Sequence, residues 1–87
     1  MSTFIITRIQ VGDYDTWRRM FEQDRPQARE KATVQRIFRK VEDPNHVFVF
    51  LEFASVEDAE EARQRLVESG VLDRFEDKDG PNVVREA

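Results

Sequence analysis

Three charged residues, Arg8, Arg36 and Glu52, fall on one alternating face of the strands that the sequence predicts. A guanidinium group offers a fixed fork of donors to an anionic or phenolic ligand, and a partly desolvated carboxylate can act as a general base. In an enzyme, the two arginines would stabilise developing negative charge and Glu52 would take a proton. The structural alternative is a cross-strand ion pair between Arg36 and Glu52, with Arg8 paired to an acidic residue of a partner chain. We favour the ion pair, because buried charges need partners whether or not they do chemistry.

Other kinds of site are poorly supported by the composition. The sequence has no Cys and a single His, which excludes thiolate chemistry and leaves few ligands for a transition metal. His46 falls in a predicted turn, where a histidine is usually solvated. No nucleophile and base pair, phosphate loop or metal-ligand cluster is recognisable, and we expect no metal and no cofactor.

Four segments have the alternation and the β-branched or aromatic content of strands: residues 4–11, 34–41, 47–53 and 82–86. The third, VFVFLEF, is apolar on both faces apart from Glu52, as in a central strand that is covered on both sides. A polar turn over residues 42–46 predicts a hairpin in which Val41 lies opposite Val47. This register sets Arg36 opposite Glu52, Phe38 opposite Phe50 and Ile37 opposite Leu51.

Two helices are predicted between the strands. The first begins with Asp13 or Asp15 as its N-cap, and Pro26 should end it near Asp24. The second begins at Ser55 and ends at Gly70. Their apolar faces are formed by Tyr14, Trp17 and Phe21 in the first and by Val56, Ala59, Ala62, Leu66 and Val67 in the second.

The order strand, helix, strand, strand, helix, strand predicts an α+β fold, the ferredoxin-like βαββαβ arrangement, as a single domain over residues 1–87. Right-handed crossovers then place the first and third strands in the centre of an antiparallel four-stranded sheet, with the two main helices on one face.

The two faces of this sheet differ in kind. The face predicted to lie under the helices is aliphatic and comprises Ile5, Ile9, Val11, Ile37, Val41, Val47, Val49, Leu51 and Phe53. The opposite face collects Phe4, Ile6, Phe38, Phe48 and Phe50 together with the charged residues. Soluble monomers rarely leave such a patch bare, so we expect a partner to cover it.

Several short motifs suggest that the partner is a second copy of the chain. The opening segment VGDYDTW over residues 11–17, the turn Asp43-Pro44-Asn45, the helix entry at residues 53–55 and the closing Gly80-Pro81 follow one another in this order. Together they resemble the small dimeric α+β barrel proteins related to the antibiotic biosynthesis monooxygenases. The resemblance implies a homodimer that associates through the open sheet face, with one pocket per subunit.

The superfamily that the chain resembles includes cofactor-independent oxygenases of polyphenols, polyketide cyclases and haem-degrading enzymes. The resemblance therefore implies a cofactor-independent monooxygenase or cyclase that acts on an aromatic or polyketide-like molecule. The haem-degrading members share an Asn, Trp and His set that does not map onto Trp17 and His46 at their positions here. The alternative is a non-catalytic dimeric module that binds a ligand or has a structural role.

An RNA-binding protein is a further alternative. Residues 46–53 match the third-strand octamer of an RNA-recognition motif at Phe48, Phe50 and Phe53. The small residues of that octamer are replaced by Val47 and Val49, and a net charge of -4 opposes phosphate backbones, so nucleic acid is disfavoured. The sequence has no apolar run long enough for a membrane span, and we expect a soluble, cytoplasmic protein.

Overall fold

A computed structural model describes residues 2–23, 27 and 29–87 of the chain. The elements in chain order are β1 (Thr3–Gln10), α1 (Tyr14–Gln23), β2 (Val34–Arg39), β3 (His46–Phe53), α2 (Val56–Ser69) and β4 (Lys78–Arg85). All neighbouring strands are antiparallel, in the order β2-β3-β1-β4. The structure confirms the predicted ferredoxin-like α+β fold, with the first and third strands in the centre.

The core lies between one face of the sheet and the helices. In β1 and β3, buried and half-buried residues alternate along the whole strand, since successive side chains point to opposite faces. Trp17 of α1 and Ala59 and Ala62 of α2 pack into the same buried cluster as Ile5 and Leu51. This is the predicted aliphatic face, with Val41 as the exception described below.

Side chains cap the N-terminal ends of both helices. Oδ2 of Asp13 accepts hydrogen bonds from the Thr16 backbone N–H at 3.0 Å and from its hydroxyl at 2.7 Å. Both bonds lower the pKa of Asp13 below its usual 3.8, and the bond from the Thr16 hydroxyl has the larger effect. Ser55 accepts a hydrogen bond from the backbone N–H of Asp58, and Gly70 takes the left-handed conformation at the end of α2, both as predicted. The end of α1 predicted from Pro26 and Asp24 lies outside the described residues. None of the helices described is both long enough and apolar enough to span a bilayer.

The predicted hairpin register is wrong by two residues. β2 ends at Arg39, which lies opposite Val47, and Arg36 lies opposite Phe50. Val41, expected in the core, lies beyond the strand and is 99% exposed. A shift of two equals the side-chain period of a strand, so every residue keeps its face while every cross-strand pair changes.

Long-range contacts account for this register. The connection between β2 and β3 takes up residues 40–45, and Lys40 N–H bonds to the carbonyl of His46 at 2.9 Å. The connection also forms hydrogen bonds with the end of β1 and the residue after it. The Asn45 carbonyl accepts a hydrogen bond from Val11 N–H at 2.8 Å, and the Asp43 carboxylate accepts one from the Gln10 side chain at 3.0 Å. Counting residues along the hairpin cannot include these contacts.

The last strand is longer than predicted. β4 begins at Lys78, whereas the sequence predicted a strand that begins at Asn82. The pairing with β1 shifts between Ile6 and Arg8, which accommodates the irregular segment within the strand. Gly80 lies there with φ +103°, and a Cβ at this position would come within 2.7 Å of the Ile6 carbonyl oxygen. Glycine is therefore the residue that allows β4 to approach β1 so closely.

Candidate functional site

The sheet face opposite the helices, called the open face below, is the candidate site. Cross-strand pairing aligns its residues in rows that run across the strands. Its members in β1 and β3 are half-buried in the single chain, whereas those in β2 are exposed. The open face comprises Val34, Arg36 and Phe38 of β2, His46, Phe48, Phe50 and Glu52 of β3, Phe4, Ile6, Arg8 and Gln10 of β1, and Asn82 and Val84 of β4.

Apolar side chains occupy the middle of the open face. Phe48 and Phe50 are neighbours on this face of β3, and Phe4 and Ile6 lie on the same face of the adjacent strand β1. Phe38 on the edge strand is 47% exposed and meets the ring of Phe50 edge-on, with the centroids 5.3 Å apart. The structure thus places on one surface the five apolar residues proposed from the sequence as a pocket or dimer face.

The three charged residues proposed as catalytic do not converge in the single chain. Glu52 lies between Phe4 and Val34, and Arg36 lies opposite Phe50. The predicted direct pairing of Arg36 with Glu52 is therefore wrong, because the two are diagonal neighbours with backbones roughly 7–8 Å apart. Arg8 is four positions along β1 from the residue opposite Glu52, a separation of about 13 Å.

Arg36 and Glu52 also lack polar partners. Among the described residues, neither side chain forms a hydrogen bond or an ion pair. Arg36 is exposed on the edge strand, while Glu52 is half-buried between apolar neighbours. Two opposite charges are thus available on the open face for an interaction outside the chain.

Arg8, in contrast, belongs to a network at one end of the open face. Its Nη1 donates to Asp77 Oδ1 at 3.0 Å and lies 3.1 Å from Nε2 of His46. His46 Nδ1 lies 2.7 Å from Oε1 of Gln10, whose Nε2 donates to Asp43 Oδ2 at 3.0 Å. The five side chains are called the polar end below. Arg8 therefore has its acidic partner within the chain, rather than in a second chain as the structural alternative expected.

The strands explain why the polar end assembles. Gln10 and His46 are directly opposite each other in the β1–β3 pair, and Arg8 precedes Gln10 on the same face. Gln10 N–H donates to the carbonyl of Asp77 at 2.9 Å, which brings that residue alongside β1. The described residues contain no group of three or more His, Cys, Asp and Glu side chains that could hold a metal ion.

His46 is the residue that the sequence interpretation missed. It is the first residue of β3 and is partly buried, and the centroid of its ring lies 5.3 Å from that of the Phe48 ring. The sequence had predicted a solvated turn residue at this position. The alternation of Phe48, Phe50 and Glu52 continues back to His46, and this pattern was the available signal. The assumed pairing of Val41 with Val47 concealed it by assigning His46 to the turn.

The comparisons with known proteins concern the fold. No protein-family model matches the chain, and no curated protein matches it. The structure is similar to the crystal structure of a "putative antibiotic biosynthesis monooxygenase" from Bordetella bronchiseptica, with a TM-score of 0.71 and 17% identity over 99% of this chain and 97% of that one. The solved protein carries the name of the family that the sequence motifs resemble. The similarity confirms, over nearly the whole chain, the α+β fold that this resemblance implies.

Proposed function

We propose that the chain forms a homodimer through the open face and that the two sheets enclose a small apolar pocket for an aromatic or polyketide-like molecule. In this pocket the protein acts as a cofactor-independent monooxygenase or cyclase. The observation that carries the proposal is the open face itself, which gathers five large apolar side chains and flanks them with charged residues.

The composition of the open face supports a second copy of the chain as its cover. An isologous dimer sets the same patch of both chains together, so the phenylalanines of one chain can pack on those of the other. Arg36 and Glu52 have no polar partner within the described residues, and a twofold axis can bring Arg36 of one chain to Glu52 of the other. The patch is thus complementary to itself both in apolar surface and in charge.

The chemistry follows from enclosure. A lumen lined by phenylalanine excludes water and strengthens each electrostatic interaction within it. In that setting Arg8 and Arg36 stabilise negative charge that develops on the substrate, and Glu52 takes a proton. The name of the structural neighbour supports a reaction with oxygen. The family that the sequence motifs resemble supports either that reaction or an internal cyclisation.

A non-catalytic dimeric module is the second candidate, and the spread of the charged residues favours it. Arg8 and Glu52 lie about 13 Å apart along the sheet, too far for both to contact one small reacting group in the same subunit. In this case the charged residues would hold the dimer together. A screen of aromatic compounds distinguishes an open pocket from a structural module with a filled lumen, since a ligand of the pocket raises the melting temperature by mass action and a filled lumen gives no such shift. Turnover of a compound that binds then distinguishes an enzyme from a ligand-binding module.

The first test is the solution mass by light scattering behind a sizing column. We expect the wild type at about twice 10.3 kDa, and Phe50→Glu as a monomer or an insoluble protein, because it sets a charge in the middle of the apolar patch. Val67→Glu is the matched control, since Val67 is 52% exposed on α2, away from the sheet, and should stay dimeric. A soluble monomeric wild type would overturn the proposal and make RNA binding the next property to test.

The assigned roles have their own test once a substrate is found. The double variant Arg36→Ala with Glu52→Gln should lose most turnover while its mass stays that of a dimer. Full turnover by this variant would remove both residues from the mechanism.

A further inference from the structure

The hydrogen bonds of the polar end define which atoms carry protons. The Gln10 side-chain amide donates through Nε2 to the Asp43 carboxylate at 3.0 Å and to the Asn45 carbonyl at 3.3 Å, which directs its oxygen to His46. An amide oxygen only accepts, so Nδ1 of His46 must be the donor across the 2.7 Å contact. Arginine stays protonated in proteins, so Nε2 of His46 must be the acceptor across the 3.1 Å contact with Arg8.

These contacts require a neutral imidazole with its proton on Nδ1. The same arrangement of an oriented imidazole, with one nitrogen held by an acceptor and the other basic, is the one that general bases use. Glu52 has no comparable support, because no hydrogen bond orients its side chain among the described residues. Of the two candidate proton acceptors on the open face, His46 is therefore the one held in a working orientation.

The basic nitrogen also has a defined position relative to the apolar patch. The imidazole ring lies 5.3 Å from the ring of Phe48, and Arg8 lies directly opposite Phe48 in the sheet. An aromatic ring stacked on the phenylalanines would thus have a basic nitrogen and a guanidinium at its border. Arg8 retains 31% side-chain exposure, so its contact with His46 is accessible to a ligand.

We propose that His46 is a second proton acceptor of the pocket beside Glu52, and that it acts on a phenol or an enol whose oxygen enters between His46 Nε2 and Arg8. This inference rests on the proposed function and adds His46 to the residues of its site. The ligand O–H bond breaks, its electron pair stays on the oxygen, and the proton forms the Nε2–H bond of an imidazolium. Arg8 then donates to the oxyanion, and Asp77 on its other side keeps the guanidinium in place.

The groups around His46 suit this transfer. The imidazolium keeps its Nδ1–H bond to Gln10, which is anchored in turn by the Asp43 carboxylate. Arg8 and Asp77 already form an ion pair at 3.0 Å, so the arginine adds little uncompensated positive charge beside the new cation. The oxyanion itself supplies the remaining counter-charge.

The experiment uses 3-nitrophenol as the probe, because its phenolate absorbs at a longer wavelength than the neutral phenol. This phenol is a weaker acid than an imidazolium, so the test pH can be set where an ordinary imidazole is mainly neutral. At a pH where about a tenth of the free probe is ionised, the ionised fraction of the probe bound to the wild-type protein should be roughly fivefold higher or more. This corresponds to a pKa of the bound phenol that is lower than that of the free phenol by at least about one unit. His46 is the only histidine of the chain, so its ¹⁵N imidazole spectrum is unambiguous. The spectrum should show a proton on Nδ1 alone in the free protein and on both nitrogens with the probe.

A variant of His46 and a matched control test this role. His46→Gln keeps an acceptor for Arg8 without a basic nitrogen, so it should bind the probe as the neutral phenol. The matched control is Glu60→Gln, which removes an exposed carboxylate from α2, on the other side of the sheet, and should ionise the probe as the wild type does. Ionisation that persists in His46→Gln, a neutral imidazole in the complex, or a wild type that leaves the probe un-ionised would each overturn the inference.

Light scattering on the same samples separates this inference from the proposed function. A dimer that fails to ionise the probe contradicts only the role of His46. A monomer contradicts the homodimeric pocket itself.

Discussion

Truncation of Phe38 to alanine should weaken self-association strongly while leaving the fold intact. Phe38 lies on the edge strand of the open face, 47% exposed, and is not part of the buried core. A phenylalanine offers about 200 Å² of surface, so about 95 Å² of it is free to be covered by a second chain.

The size of the effect follows from this area. At about 25 cal/mol per Å², covering the exposed part of Phe38 contributes about 2.4 kcal/mol per chain, and about 5 kcal/mol in a symmetric dimer that buries it twice. Alanine retains roughly a third of the area, so the variant should lose about 3 kcal/mol of association free energy. This corresponds to an increase in the dimer Kd on the order of 100-fold.

Sedimentation velocity over a dilution series measures the Kd directly, and urea unfolding at low concentration reports on the monomer. The matched control is Val67→Ala, which truncates a residue of similar exposure on α2. An unchanged Kd for Phe38→Ala, or an equal increase for the control, would refute the assignment of the open face as the interface.

Two further predictions concern the fold that supports the site. Val47→Ala should lower the free energy of unfolding by about 2–3 kcal/mol, because Val47 is fully buried and its truncation adds a cavity to the lost transfer energy. The exposed control, Val41→Ala, should change this free energy by less than about 0.5 kcal/mol. Equal losses for the two variants in urea unfolding would contradict the observed register. Asp13→Ala should lower the melting temperature at neutral pH and Asp13→Asn should largely preserve it, since Asn is also a good N-cap. The folded-state pKa of Asp13 is lowered by its bonds to Thr16, so the stability that the Asp13 carboxylate contributes is complete above about pH 3.8 and is lost as the pH falls through the folded pKa. Circular dichroism melts measure this contribution as the difference in melting temperature between the wild type and Asp13→Ala. A difference that stays constant down to pH 2 would count against the cap.

The sequence determined the elements of this protein and the faces of its sheet. The alternation in the segment that became β3 and the caps at Asp13 and Ser55 are encoded within a few residues, because they depend on local periodicity and local hydrogen bonds. The same alternation assigned Phe38 and Phe50 to one surface even though the register was wrong, since a shift of two residues leaves each side chain on its face. For this reason the apolar part of the candidate site could be predicted without the structure.

The tertiary structure decided the register of β2 and the composition of the polar end. Val41 moved from the core to solvent because the connection before β3 is fastened to β1, a contact between segments more than 30 residues apart. Arg8, His46 and Asp77 meet across separations of 38 and 69 residues, and no local pattern specifies which residues of distant strands lie opposite each other. The pairing of whole strands is settled only when the sheet assembles, and it is this pairing that replaced the expected Arg36–Glu52 pair with an oriented histidine beside Arg8.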